Sequence, residues 1–254
     1  MGIQFNDNDY VLQAERAVQD NVSIHYEALR YRLPYALCYH QWWIDEMVAL
    51  ASVLESGSRI LDDGCGTGYF IARLAGAQVI GLDLSGGMLQ QARKRGSCLI
   101  QGDSQHLPLP DAQFDLVIAR SLLHHLPDPI RGLAEIRRVL KPGGRVVASD
   151  TNRSLINALP RMLAYRSEHF SEGHQNLDRR EYLSWFKHHF KLEQVRYFGY
   201  LAYPFGFPDM MGALRAVPFP ALLVKGLIQV DNVLSRVPGL RTQSWGIMVV
   251  GSRQ

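Results

Sequence analysis

The chain has 254 residues, 47% hydrophobic and 20% charged, with a formal net charge of +3. That balance fits a folded protein with one large core and excludes a disordered or low-complexity chain. The positive excess is slight and no long Lys/Arg run concentrates it, so nucleic acid is not an expected partner.

Residues 1–55 read as a helical cap. Apolar residues recur at helical spacing over 21–29 and 34–54, and Pro34 suits a helix start. The cap is rich in aromatic residues, among them Tyr26, Tyr31, Tyr35, Tyr39, Trp42 and Trp43. Five short apolar runs follow, at 59–62, 77–83, 98–101, 114–119 and 145–149, and helical patterns at 69–74, 87–95 and 130–140 separate most of them. Such alternation predicts an α/β fold with parallel strands joined by right-handed crossovers, doubly wound so that both sheet faces are covered. Pro142-Gly143-Gly144 reads as a turn before the fifth strand.

The regularity breaks after Asp150. A helix is expected over 178–188, and alternating patterns at 191–200 and 244–251 predict a closing antiparallel pair. A single domain over 1–254 is expected, with a core at 56–150 and lid-forming insertions at 151–190 and 201–243. The segment 221–237 places Leu223, Leu227, Val230, Leu234 and Val237 on one helical face. It reads as a core-facing stripe or as a peripheral contact with lipid. The three cysteines, Cys38, Cys65 and Cys98, are too few and too scattered for a disulfide framework or a zinc pattern, and fit a reducing cytoplasm. The polar start MGIQFNDNDY is not expected to act as a secretory signal, and no run approaches the ~20 apolar residues of a membrane span.

The segment with most chemical content is Leu61-Asp62-Asp63-Gly64-Cys65-Gly66-Thr67-Gly68, between a strand and a helix. Glycines let the backbone turn sharply and approach a ligand, and the following helix start offers free amides. Asp83 ends the next strand, where an acid can accept both hydroxyls of an adenosine ribose. Two cofactor classes fit. Dinucleotide enzymes seat a pyrophosphate on Gly-x-Gly-x-x-Gly, whereas the spacing here is Gly-x-Gly-x-Gly after two acids. A carboxylate repels a diphosphate and attracts the α-ammonium of an amino-acid moiety, which favours S-adenosylmethionine over NAD.

Four stretches carry a resemblance: ILDDGCGTGYF (60–70), VIGLDLSGGMLQQAR (79–93), QGDSQHLPLPDAQFDLVIARSLLHHLPDP (101–129) and EIRRVLKPGGRVV (135–147). In this order they resemble the class I S-adenosylmethionine-dependent methyltransferases, in particular the group that includes the ubiquinone-biosynthesis type. The resemblance implies a mostly parallel seven-stranded sheet with added N-terminal helices and a helical lid. It also implies that Asp62 and the Gly64–Gly68 backbone, Cys65 and Gly66 included, hold the methionine end of the cofactor. By the same resemblance Asp83 holds the ribose, Leu84 and Met88 pack near the adenine, Asp103 and Ser104 meet its exocyclic amine, and Arg120 borders the methionine. Asp63 stands where the family often has an aliphatic residue, so two acids compete for one role.

His124 and His125 are commonly histidine in such chains, and His125 is a candidate base or a packing residue. Tyr26 and Tyr31 could touch cofactor or acceptor, since aromatic faces favour a sulfonium cation. His169, His174, His188 and His189 have no metal-binding spacing, and no metal is expected. The implied reaction is methyl transfer to a small, largely apolar acceptor, such as a lipid or an isoprenoid-like or polyketide-like ring. O-, C- and N-methylation stay open, with S-adenosylhomocysteine as the product. An NAD-dependent oxidoreductase and a non-catalytic S-adenosylmethionine-binding protein are the alternatives.

Overall fold

The computed structural model describes residues 7–51, 57–74, 77–158, 177–207 and 221–254. Five apolar runs form parallel strands: β1 (Arg59–Asp63), β2 (Gln78–Asp83), β3 (Leu99–Gln101), β4 (Phe114–Arg120) and β5 (Leu140–Thr151). Their central residues, such as Leu61, Leu82, Ile118 and Val147, are buried on both faces, so the sheet needs cover on each side. β6 (Lys191–Phe198) and β7 (Gly246–Ser252) complete a seven-stranded sheet in the order β3-β2-β1-β4-β5-β7-β6. Strand β7 runs antiparallel to both its neighbours.

Helices α1 (Asp7–Arg30) and α2 (Pro34–Leu50) form the N-terminal cap. The others are α3 (Tyr69–Arg73), α4 (Gly86–Ala92), α5 (Pro129–Val139), α6 (Arg179–His189), the single turn α7 (Tyr203–Gly206) and α8 (Ala221–Leu234). One core cluster joins α2, α8 and the sheet through Trp43, Met47, Ile118, Ile228 and Met248. A second joins α5 and α6 to the opposite face through Leu133, Ile136, Tyr182 and Phe186. Strand order reverses direction at β1 and β4: the chain builds outward from β1 to β3, then returns beside β1. A crevice therefore opens at the carboxyl ends of these two strands, where doubly wound sheets bind ligands.

Three expectations need correction. Pro142-Gly143-Gly144 lies inside β5 as a bulge, not before it. Leu140 pairs with Phe114 and Arg145 with Leu116, so residues 141–144 loop out opposite Asp115, and Gly143 takes φ +76°. Helix α1 begins at Asp7, well before the pattern over 21–29. Helix α8 does not bury the stripe Leu223, Leu227, Val230, Leu234 and Val237. Its buried residues are Val224, Ile228 and Asp231, while Leu223 and Val230 are about half exposed. The rotation follows from Asp231, whose carboxylate accepts hydrogen bonds from the backbone N–H groups of Tyr200, Leu201 and Ala202. Three amides otherwise unpaired outweigh the burial of one more Leu or Val. Residues 52–54, 159–176 (with His169 and His174) and 208–220, which fall in expected helix and lid segments, lie outside the described residues.

Gly246 sets the fit of the closing strands. It faces Phe198 in register, and a Cβ there would stand 2.2 Å from the Phe198 ring. Gly246→Ala is expected to destabilise by ~1–3 kcal/mol or more through overpacking, lowering the melting temperature by about 2–4 °C per kcal/mol. An unchanged melting curve would contradict this packing.

Candidate active site

The loop after β1 turns on three glycines in the left-handed region, Gly64 (φ +72°), Gly66 (φ +52°) and Gly68 (φ +82°). Gly66 N–H donates to one Asp83 oxygen at 2.8 Å, and Ser85 N–H donates to the other at 2.9 Å. Asp83 is thereby held at the mouth of β2 with lone pairs left on both oxygens.

These loops floor a cavity of about 220 Å³. Asp62, Gly64, Cys65, Gly66, Asp83, Leu84, Met88, Asp103, Ser104, Arg120, His125, Tyr26 and Tyr31 all line it. Asp63 and Gly68 do not. Successive strand residues point to opposite faces, so Asp63 turns away from Asp62 and accepts from Ser104 Oγ at 2.7 Å. This overturns the expectation of Asp63 as a cofactor contact. Gly68 instead starts α3 and packs on Ala92.

Asp62 is 1% exposed, and its Oδ2 has no hydrogen-bond partner among the described residues. Burial pushes its carboxyl up to about 7, against the pull of Arg120 and with the help of Asp63 and Asp83. Arg120, at the end of β4, is held by Tyr31 Oη, which accepts from its Nη2 at 3.1 Å. Its guanidinium also lies 5.2 Å from the Trp43 ring centre and 5.7 Å from that of Phe70. Its Nη1 is buried and unpartnered among the described residues. An orphaned acceptor on an acid and an orphaned donor on a base thus line one cavity.

Helix α1 roofs the cavity with Leu12, Glu15, Gln19, Val22, Tyr26 and Arg30, at spacings of three and four. That face is half polar, which hid the helix from a search for apolar periodicity. Asp20 anchors the roof by accepting from Ser85 Oγ at 2.6 Å and Gly87 N–H at 3.0 Å. Gly87 has no Cβ because Ser23 Oγ would lie only 2.4 Å from it. Beyond β4, buried His124 Nδ1 bonds Asp150, and His125 Nδ1 stands 2.9 Å from Glu15. Burial pulls His125 down, but Glu15 outweighs it and raises the ring above its ordinary value.

The far end of the cavity is aromatic: Trp43, Tyr203, Phe207 and Trp245, with Arg30, His40 and Thr151. Trp43 belongs to the aromatic cap, and Tyr203 and Phe207 fall in the expected lid segment 201–243; the others carry no signal in the sequence. Together these residues come from α1, α2, β5, α7 and the start of β7, and no local pattern links them.

Across residues 61–148 the chain matches the family described as a methyltransferase domain. Residues 61–148 carry a methyltransferase domain. The chain is 35% identical over 141 residues to the demethylmenaquinone methyltransferase of Bacillus licheniformis, covering 52% of this chain and 58% of that protein. It is 33% identical over 136 residues to the 27-O-demethylrifamycin SV methyltransferase of Amycolatopsis mediterranei, covering 44% and 50%. The chain thus spans little more than half the length of the curated relatives it matches. In fold it is similar to a SAM-dependent methyltransferase of Thermotoga maritima, with a TM-score of 0.62 at 19% identity over 94% of this chain and 99% of that one.

Within the methyltransferase domain, Asp103 accepts from the Gln105 backbone N–H at 2.8 Å at the rim of the cavity. Asp103→Ala is expected to weaken S-adenosylhomocysteine binding by ~1–3 kcal/mol, one hydrogen bond to the adenine amine. Leu84 and Met88, which also line the cavity, would still pack the ring. Comparison with an analogue lacking the exocyclic amine tests the role: the parent should discriminate between the two and the variant should not.

Proposed function

We propose that the chain transfers a methyl group from S-adenosylmethionine to a small, largely apolar acceptor. When bound, the cofactor supplies an electrophilic methyl on a sulfonium with a good leaving group. One observation carries the reading. Asp62 Oδ2 and Arg120 Nη1 are buried, oppositely charged and unpartnered among the described residues, and both line the cavity. An α-ammonium and an α-carboxylate would satisfy both at once, which is the zwitterion of an amino-acid moiety. Asp83 would take the ribose hydroxyls, and Asp103 the adenine amine. Four acids around the cavity, Glu15, Asp62, Asp83 and Asp103, oppose a diphosphate, which argues against NAD.

The chain's part in catalysis is then alignment. Holding donor and acceptor in line can contribute roughly 7–11 kcal/mol in well-oriented reactions. The α1 roof and the aromatic wall would exclude water. Titration calorimetry tests the reading: S-adenosylmethionine and S-adenosylhomocysteine should bind and NADH should not. NADH binding in their place would sink it. Failure to turn over any acceptor in a broad panel would favour the non-catalytic alternative.

We place the chain in the cytoplasm, in peripheral contact with an anionic bilayer. Its three cysteines are unpaired. Leu222, Leu223, Val230 and Val233 are exposed, Leu222 by 78% and Val233 by 61%. Helical geometry puts them within one sector of about 100° that continues to Val237. Lys225 and Arg236 flank the stripe, and the one acid in 221–243, Asp231, is buried. An apolar stripe beside cations suits the interface of an anionic leaflet. Among the described residues no helix is long and apolar enough to cross a membrane. The protein is expected to sediment with phosphatidylglycerol vesicles more than with phosphatidylcholine vesicles, and Val233→Glu should abolish this. Equal sedimentation with both lipids, or no effect of the variant, would remove the contact.

A further inference from the structure

His40 lies in α2 and is 2% exposed. Its ring centre is 5.1 Å from that of Tyr31 and 5.2 Å from that of Phe207, and it stacks on Trp43 at 6.2 Å. Its Nε2 stands 2.8 Å from the Gly206 carbonyl oxygen. A carbonyl can only accept, so Nε2 carries the hydrogen and donates. Burial, with the positive charges of Arg120 and Arg30, holds the ring well below its ordinary value, so it is neutral. Nδ1 therefore presents a bare lone pair, and it has no partner among the described residues.

A buried acceptor of this kind costs free energy until a donor reaches it. Thr151 Oγ1, on another residue lining the cavity, is likewise unpartnered among the described residues. The cavity wall here is made of aromatic rings. Tyr203 stacks on Phe207 with centres 4.5 Å apart and on Trp245 at 4.9 Å. Such a wall suits an aromatic ligand through edge-on or offset ring contacts. The charges acting on His40 are both positive, which disfavours an amine entering as an ammonium and favours a hydroxyl that gives up its proton.

We infer that His40 contacts the acceptor, its Nδ1 receiving the hydrogen of a phenolic hydroxyl on a planar aromatic ring lodged against Tyr203, Phe207 and Trp245. This rests on the methyl-transfer reading and selects O-methylation within it. An oxygen lone pair forms the new C–O bond to the methyl carbon, and the C–S pair leaves with sulfur, giving a neutral thioether. The hydroxyl hydrogen-bonds to Nδ1 while the C–O bond forms, and its proton passes to water as product leaves. His40 thus orients the hydroxyl as a hydrogen-bond acceptor whose tautomer is set by Gly206.

Two variants separate this role from packing. His40→Gln can keep a donor toward Gly206 while removing the acceptor at the Nδ1 position. His40→Asn keeps an acceptor near Nδ1 and loses the Gly206 bond. The probes are 1-naphthol and 1-methoxynaphthalene, titrated calorimetrically into protein saturated with S-adenosylhomocysteine. The parent is expected to bind the naphthol at least tenfold more tightly than its methyl ether. In His40→Gln that preference should vanish with S-adenosylhomocysteine affinity kept, and His40→Asn should retain part of it. No naphthol binding by the parent, no preference, a preference that survives His40→Gln, or loss of S-adenosylhomocysteine binding in His40→Gln would each overturn the assignment. A parent that binds no S-adenosylhomocysteine at all would overturn the methyl-transfer reading itself, which is a separate outcome.

Discussion

Asp83→Ala is expected to lower the affinity for S-adenosylhomocysteine roughly 100-fold or more. Each bond from a ribose hydroxyl to the carboxylate is charge-assisted and worth ~1.5–3 kcal/mol, so two sum to ~3 kcal/mol at least. A further loss comes from the loop. The same carboxylate accepts from Gly66 N–H and Ser85 N–H, so its removal orphans two amides that shape the glycine turn and the start of α4. Asp83→Asn keeps one carbonyl oxygen and should lose less. Calorimetry beside a melting curve decides the matter. A folded Asp83→Ala protein that binds as tightly as the parent would show that the ribose is held elsewhere.

The second large effect is one of pH. Burial raises the Asp62 carboxyl to about 7 in the free protein. Only the ionised form attracts an ammonium, so affinity for S-adenosylhomocysteine should rise with pH up to about 7 and level off above it. Below that point each pH unit costs up to about tenfold. In stability the sign is reversed. The folded chain keeps this proton up to about pH 7, whereas the unfolded chain loses it near 4. The contribution of Asp62 to stability is therefore greatest at low pH and falls as pH rises from about 4 to about 7. Asp63, also pushed up to about 7 by burial, adds to the stability slope, but its carboxylate faces Ser104 and not the cavity. Asp62→Asn should thus flatten most of the affinity profile, with Asp83 leaving a residual slope, while part of the stability slope persists through Asp63. An affinity profile as steep in Asp62→Asn as in the parent would exclude Asp62 as the ammonium partner.

The cofactor half of the cavity was legible in the sequence because its parts are local. The Gly64–Gly68 turn, Asp83, Asp103 and Arg120 each sit at the carboxyl end of a strand or just beyond it. Short apolar runs mark those ends, and spacing alone then places the residues beside one another. The split between Asp62 and Asp63 obeys the period of two along a strand, but its direction depends on which face the cavity occupies. Only the packed sheet sets that.

The acceptor half had no such signal. Arg30, His40, Thr151, Phe207 and Trp245 are scattered over more than 200 positions, and their meeting depends on α2 and α7 packing over the end of β5 and β7. Helix α8 makes the same point: apolar residues surround most of its circumference, so periodicity favoured the wrong stripe. A lone acid, Asp231, marked the inward face because three backbone amides required it. What the sequence by itself determined is the doubly wound sheet and the glycine turn and acids gathered at its carboxyl edge, since strand period, glycine turns and terminal acids are properties of neighbouring residues. What only the tertiary structure decided is which polar atoms stay unpartnered inside the cavity, because satisfaction of a buried donor or acceptor depends on every segment packed around it.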